Sequence, residues 1–351
     1  MYKHRGNVFL IITTHHLSPE SLRNMKVLLT GASGFVGSHI LDSLRARRIP
    51  TAVLLRPTSN RRFIRQHLSD IEVCPGSIND LPSLRDAMSD VTHVIHCAGC
   101  TKALRVAEFH DVNHAGTRHV VETVNHRRGH IRRLVYISSL AAAGPAPPAK
   151  PVNENDPPQP VSEYGKSKLA GEREVREKCR TGYVILRPPV VYGPRDEELL
   201  YLFKGVRFGL LPTFGGGRQA LSLVFVTDLA ETVVRSLTHP GAIDQTFFVA
   251  SPEMVTAKDL VEQIAAQMNV RTMPIPLPTA MLWTVCAIQD VLSRLTGKAH
   301  MLSRHKYVEL HAPAWVCDPT KLRQELGFEC AMNLMTGIAK TMAWYRQQGW
   351  L

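Results

Sequence analysis

Two hydrophobic rhythms alternate along the chain. Residues 25–30 form a short apolar run that stops at Gly31, as a strand buried on both faces does. Residues 36–44 then follow a helical period. The alternation repeats. The pattern predicts strands at 51–55, 71–74, 93–96, 133–137 and 183–187, and helices at 80–88, at 106–126 and around Tyr164 and Lys168. Strands and helices alternating at this spacing predict an α/β fold, a doubly wound parallel sheet with helices on both faces. The Pro-rich residues 144–160 read as a surface loop. Beyond residue 194 the pattern fades. A strand feeding a helix is expected from 223, another strand at 247–250, and amphipathic helices at 318–326 and 337–346. Residues 278–296 place Met281, Leu282, Trp283, Val285, Ile288, Val291, Leu292 and Leu295 on a helical period, with only Asp290 and Arg294 charged.

Composition narrows the classes. Of 351 residues, 44% are hydrophobic and 21% charged, the profile of a soluble globular chain. The net charge of +12 permits anionic partners: a phosphorylated cofactor, a membrane surface or nucleic acid. The basic residues are scattered and no nucleic-acid motif accompanies them, so nucleic acid is not an expected partner. Lys298, Arg304 and Lys306 follow the apolar 278–296 stretch. That stretch reads as a core or lid helix, or more sharply as a peripheral membrane contact through 278–306. The odd count of seven cysteines argues against a disulfide framework and for a reducing, cytoplasmic setting. Cys97 and Cys100 have redox or zinc spacing but no second pair nearby, and His93 and His96 lie three apart in a strand, on opposite faces. No metal site is expected. In residues 1–24 the apolar run from Val8 to Ile12 is too short to span a membrane; a disordered extension is expected there, even an upstream start chosen in error.

The candidate chemistry sits where the strands end. Gly31, Gly34 and Gly37 join a strand to a helix, the context of a dinucleotide-binding turn. Gly31 allows the tight turn, Gly34 the close approach of a pyrophosphate, and Gly37 the packing of helix on strand. Free N–H groups at the helix start favour the phosphates. The second strand ends at Arg56, with Arg61 and Arg62 beyond, where an NAD site usually carries a carboxylate. A guanidinium suits a 2′-phosphate, so NADP is the expected cofactor and NAD the alternative. Cys97, Ala98 and Gly99 are small enough for the nicotinamide end to lie across the fourth strand. Ser138 and Ser139 close the fifth. Tyr164 and Lys168, four apart, share one face of a helix. An ammonium beside a phenol favours the phenolate, which makes Tyr164 a candidate general acid/base; the plain alternative is a solvated helix face.

In combination and order these motifs resemble the extended short-chain dehydrogenase/reductase family, of the NAD-dependent epimerase/dehydratase type. Residues 96–99, Asn113, Ser139, the Tyr164/Lys168 pair and the run from Arg187 through Val191 to Pro194 carry the resemblance, with 325–328 and 344–346. It implies a Rossmann domain over 25–194 and 221–250, and a smaller C-terminal α/β substrate domain over 195–220 and 251–351. It implies a triad in which Tyr164 exchanges a proton with the substrate oxygen, Ser139 bonds that oxygen, and Lys168 tunes the phenol and holds the nicotinamide ribose. Its cofactor shell adds Ser33, Phe35 and Val36 in the glycine turn, Ser77 and Ile78 after the third strand, and Pro188 and Val191 after the sixth. It also implies a homodimer through helices at 106–126 and 163–179. Dehydratases of the family carry Thr-Asp-Glu after the serine strand; here residues 139–144 read Ser-Leu-Ala-Ala-Ala-Gly. Epimerases place an arginine seven residues before the aspartate matching Asp228; here that residue is Leu221. The chain is most similar in these features to the 3β-hydroxysteroid/sterol dehydrogenase and dihydroflavonol reductase branch. The expected activity is a secondary alcohol/ketone oxidoreductase acting on a hydrophobic, sterol- or isoprenoid-like substrate. The alternative is a nucleotide-sugar epimerase or reductase, with Arg195 or Arg218 on the diphosphate.

Overall fold

The computed structural model describes residues 24–214, 217–277, 279–296 and 304–351. The expectation for the N-terminal extension falls outside these, as do Gly215, Gly216, Pro278 and Lys298. Six strands come first: β1 Val27–Thr30, β2 Thr51–Leu55, β3 Glu72–Pro75, β4 His93–His96, β5 Arg133–Ile137 and β6 Tyr183–Arg187. Then follow β7 Val190–Tyr192, β8 Leu210–Phe214, β9 Ala220–Phe225, β10 Gln245–Phe248, β11 Met254–Thr256, β12 Met273–Leu277 and β13 Ala314–Trp315. The main sheet has seven parallel strands in the order β10-β6-β5-β4-β1-β2-β3. The predicted fold is the observed one. Every residue of β1, β2, β4 and β5 is buried, as continuous apolar runs in a two-sided sheet require. The Phe35–Ala46, Val226–Ser236 and Thr320–Leu326 helices cover one face through residues such as Ile40, Leu41, Val233 and Leu322. The Leu81–Ala87 and Gly116–His126 helices cover the other through Leu84, Val120 and Val124.

Two features depart from the pattern. The helix expected over 106–126 is interrupted: Val106–His110 and Gly116–His126 flank a wider, π-type turn at Asp111–Ala115. Such turns concentrate at functional sites, and this one carries Asn113, whose side chain is bonded on three sides and almost fully buried. The 221–250 stretch, expected whole in the nucleotide domain, divides. Its helix and β10 join the main sheet, but β9 pairs with β7, β11 and β13 in a second sheet. β12 and β8 form a separate two-stranded parallel ribbon. The second sheet has its own core, with Phe203, Leu223, Phe248, Ile264, Ile338 and Tyr345 all buried.

The order of strands reverses between β1 and β4, which pair in register from Val27 and His93 to Thr30 and His96. In an open parallel sheet the crevice outside this switch point is where a ligand fits.

Candidate active site

At the switch point β1 turns sharply into its helix. Gly31 has φ +76°, and a Cβ there would stand 2.6 Å from Ala98 N; one on Gly37 would meet Gly31 O at 2.1 Å. Only glycine allows this approach. The helix starts at Gly34 with no side-chain cap and no acidic residue in its first turn, so its N-terminal N–H groups and dipole stay available to an anion. Across the switch, Thr30 Oγ1 accepts from Ala98 N (3.1 Å) and lies 2.9 Å from His96 Nδ1, while His96 Nε2 lies 3.1 Å from Thr117 Oγ1. Burial, with the Lys168 charge, lowers His96 to about 3, so His96 is a neutral strut. It contacts the two threonines and stacks on Tyr136; His93 makes a separate contact to Thr92. Among the described residues no group of three or more His, Cys, Asp or Glu could hold a metal. The cysteines are all free, and burial pushes the Cys97 thiol up to about 12.

Gly99 faces the catalytic helix. A Cβ on it would lie 3.2 Å from Asn113 Oδ1 and 3.7 Å from Lys168 Nζ. Its bare backbone therefore leaves space beside the buried ammonium. Asn113 Oδ1 accepts from Cys100 N (2.8 Å), and its Nδ2 donates to Cys100 O and to Ser167 Oγ, both at 2.9 Å. One side chain thus fixes the end of β4 against the Glu163–Arg173 helix. Arg56 stands exposed at the end of β2 with no carboxylate partner among the described residues, and its charge reaches Cys100. The glycine cradle, the uncapped helix start and the gap beside Lys168 together fit a nicotinamide dinucleotide.

The Glu163–Arg173 helix carries the acid/base candidate. Ser162 caps it, accepting from Gly165 N at 3.0 Å. Gly165 is required because a Cβ there would stand 2.3 Å from Ala141 O. The helix therefore lies directly on the turn that follows Ser139, and Tyr164 stands beside Ser139, whose hydroxyl favours the phenolate. Lys168 donates to Ile137 O at 2.6 Å and lies 4.6 Å over the Tyr136 ring. Burial lowers Lys168 to about 8; the nearby Glu172 carboxylate opposes that fall. Burial also pushes the Tyr164 phenol well above its ordinary value; the Ser139 hydroxyl pulls it back, while Glu309, Glu198 and Cys100 push it further up. The expected lowering of the phenol by Lys168 does not appear: burial is the largest effect and the Ser139 hydroxyl, not Lys168, opposes it most.

The remaining expected residues occupy the same strand ends. Ser33, Phe35 and Val36 lie in the glycine turn and are partly exposed. Ser77 is tied back by its N–H to Ser83 Oγ at 3.1 Å, and Ile78 is buried against Gly116. Pro188 is buried and its carbonyl accepts from Leu140 N at 2.8 Å; Val191 lies on β7 opposite Val224. On the substrate side Ala141, Ala142 and Ala143 are buried, and Leu221 packs in the second core, paired with Trp315 and Val255. Arg195 adopts φ +73° and pairs with Asp42 at 2.8 Å, on the cofactor helix. Arg218 is exposed with no carboxylate partner among the described residues. Its neighbour Gln219 donates to Ala312 O at 2.5 Å.

Two buried carboxylates escaped the sequence pattern. Glu172 accepts from Ser138 Oγ (2.6 Å), from Arg187 Nε and NH2 (2.8 and 2.7 Å) and from Arg176 NH2 (3.0 Å). Glu309 accepts from Ser162 Oγ at 2.6 Å across 147 residues. Apart from Arg176, one helical turn on, their partners lie 15 to 147 residues away, so no local signal marks them as buried.

A family model described as the NAD dependent epimerase/dehydratase family matches residues 27–250. The chain is 29% identical to the ceramide reductase of Caulobacter vibrioides, covering 93% of this chain and 96% of that protein. It is 28% identical to the N-acetyl-alpha-D-glucosaminyl-diphospho-ditrans,octacis-undecaprenol 4-epimerase of Escherichia coli O157:H7, over 91% of this chain and 95% of the other. Among solved structures, the Thermus thermophilus UDP-glucose 4-epimerase in complex with NAD superposes with a TM-score of 0.72 at 24% identity, covering 92% of this chain and 99% of that one.

Proposed function

The chain belongs to the NAD-dependent epimerase/dehydratase family, and on that premise we propose that it interconverts a secondary alcohol and a ketone on a lipid-like substrate. The substrate would be of the sterol, isoprenoid or long-chain type handled by the 3β-hydroxysteroid/sterol dehydrogenase branch, with NADP(H) as the preferred cofactor. One observation carries the reading. The Ser139–Tyr164 pair faces a second lobe in which Leu221 is buried against Trp315, where a diphosphate-binding epimerase needs a cation. One relative points the same way by name, a ceramide reductase.

When bound, the nicotinamide supplies or accepts the hydride. The protein supplies the rest. Ser139 holds the substrate oxygen, and Tyr164 gives it a proton in reduction or removes one in oxidation. Lys168 keeps a positive charge one helical turn from Tyr164, beside Ile137 O and Gly99. Asn113 and Gly165 hold the catalytic helix at the strand ends. Arg56 accounts for the cofactor preference, because a guanidinium pairs with a 2′-phosphate. Purified protein should turn over ketones of ceramide, sterol or isoprenoid type with NADPH. Turnover of a UDP-sugar with none of that lipid panel would overturn the reading.

A second reading is favoured by Arg218, whose guanidinium has no carboxylate partner among the described residues and lies one residue from Gln219. It would hold a diphosphate on a nucleotide sugar. Arg218→Ala should then raise the KM for a UDP-sugar at least tenfold; an unchanged KM would rule this reading out.

A further inference from the structure

The Thr279–Thr296 helix has two apolar sides. Leu282, Cys286 and Ser293 are buried. Met281, Ile288, Leu292 and Leu295 are 47, 55, 46 and 78% exposed. At about 100° per residue the exposed four fall within roughly 60° of one another, and the buried three within roughly 40°, on a different side of the helix. No charged position interrupts the exposed stripe: positions 290 and 294, the two charged ones of this helix, fall roughly opposite its centre on the same wheel. Trp283, 49% exposed, falls on the opposite side of the helix and is no part of the stripe. A contiguous exposed apolar stripe of this kind marks an interaction surface. None of the helices, among the described residues, is long and apolar enough to cross a membrane. The stripe therefore suits lying on an interface rather than spanning one.

The charge pattern selects the partner. From 291 to 308 the sequence holds Arg294, Lys298, Arg304 and Lys306 and not one Asp or Glu. A second copy seated on the stripe would bring a like-charged segment with it, whereas anionic headgroups neutralise the charge. Each cation near an anionic leaflet raises binding roughly fivefold. The same part of the chain reaches the active site. The Arg304–His311 helix carries Glu309, which accepts from Ser162 Oγ at 2.6 Å, and Ser162 caps the helix of Tyr164.

We propose that the Thr279–Thr296 helix lies flat on an anionic lipid bilayer, with Met281, Ile288, Leu292 and Leu295 inserted among the headgroups. The use of such docking, delivery of a membrane-borne substrate, rests on the lipid reading above; the docking itself does not. Co-sedimentation of the full chain with vesicles therefore tests it with no substrate or cofactor present. Wild type should bind phosphatidylcholine vesicles containing about 30% phosphatidylglycerol at least tenfold more tightly than pure phosphatidylcholine. Ile288→Glu/Leu292→Glu should lower that binding tenfold or more. Leu295→Asp, at the most exposed position of the stripe, should lower it severalfold, and serves if the double variant does not fold. Equal binding by wild type and both variants would overturn the proposal. So would a wild type that ignores vesicles, including one that forms a dimer which the variants break.

Discussion

Replacing Glu172 by Gln would test how the catalytic strand and helix are held together. Glu172 is fully buried and accepts bonds from Ser138, Arg176 and both donors of Arg187, itself 1% exposed. Gln keeps the shape and removes the charge, so the Arg187 guanidinium stays buried without its counter-ion. Breaking one partner of such a pair costs about 3–5 kcal/mol. An unfolding entropy of about 2.1 cal/mol/K per residue gives about 0.7 kcal/mol/K for a chain of this length, so the melting temperature should fall by about 4–7 °C. Removing both charges, as Glu172→Leu/Arg187→Met, should restore most of the loss, because the desolvation of an unpaired ion disappears with it. The same charge helps to hold Lys168 up at about 8. In Glu172→Gln the alkaline limb of kcat/KM should therefore move to lower pH. Thermal unfolding of wild type, single and double variants, with a pH–rate profile for the single variant, reads both effects. A single variant melting within about 1 °C of wild type, or a double variant no more stable than the single, would refute the reasoning.

Other consequences are as direct. Tyr164→Phe should lower kcat by about 10²–10⁴, the usual contribution of a positioned proton donor, and leave cofactor binding in a titration unchanged. Arg56→Ala should weaken NADPH binding by about tenfold to a hundredfold, the worth of a charge-assisted hydrogen bond, and NADH binding far less; equal losses would remove Arg56 from the 2′-phosphate. Gly165→Ala forces a Cβ to within 2.3 Å of Ala141 O, so the catalytic helix must back away. A misplacement of about 1 Å costs on the order of 10² in kcat, and wild-type activity in this variant would mean that the contact does not position Tyr164. Lys168 is lowered from 10.5 to about 8, so between those values the unfolded chain binds the extra proton. From this group stability should rise with pH across that window, while kcat/KM for ketone reduction falls as the charge is lost above about 8. Denaturant titrations from pH 7 to 10 and a rate profile over the same range read the two opposite slopes.

What the sequence made legible was local. The glycine turn, the serine at a strand end and the Tyr164/Lys168 spacing each lie within a few residues, and each sits where the pattern placed it, at the carboxyl edge of a parallel sheet. Most strands of that sheet are short apolar runs punctuated by turns; β3 and β10 are so only in part. β8 and β12 were not legible, nor were the short β7, β11 and β13. Pro212, Pro274 and Pro276 demote the first two as strands, and β13 is two residues long. Partners distant in sequence were hidden for a different reason. Glu172 and Arg187 lie 15 residues apart and Ser162 and Glu309 lie 147 apart, so only the fold brings them together. Nor does Gly165 differ in sequence from any helical glycine; its need appears only when the Ala141 carbonyl is in place.

The two titratable groups of the site bear on the direction of the reaction. Burial holds the Tyr164 phenol protonated, and the negative groups around it, Glu309 and Glu198, reinforce that state. Lys168 is charged below about 8. At neutral pH the site therefore holds a proton on the Tyr164 phenol and a positive charge on Lys168, beside Ile137 O and the Tyr136 ring. A group in that state is ready to give a proton to a ketone oxygen as it becomes an alkoxide, and must first lose one to act on an alcohol. Arg56 points the same way in the cofactor, since its free guanidinium suits the 2′-phosphorylated form. On the reading proposed above, the protonated phenol is the form that would give its proton to a ketone oxygen and Arg56 the group that would hold a 2′-phosphate; one lies on the Glu163–Arg173 helix and the other at the end of β2, and they are set by different forces.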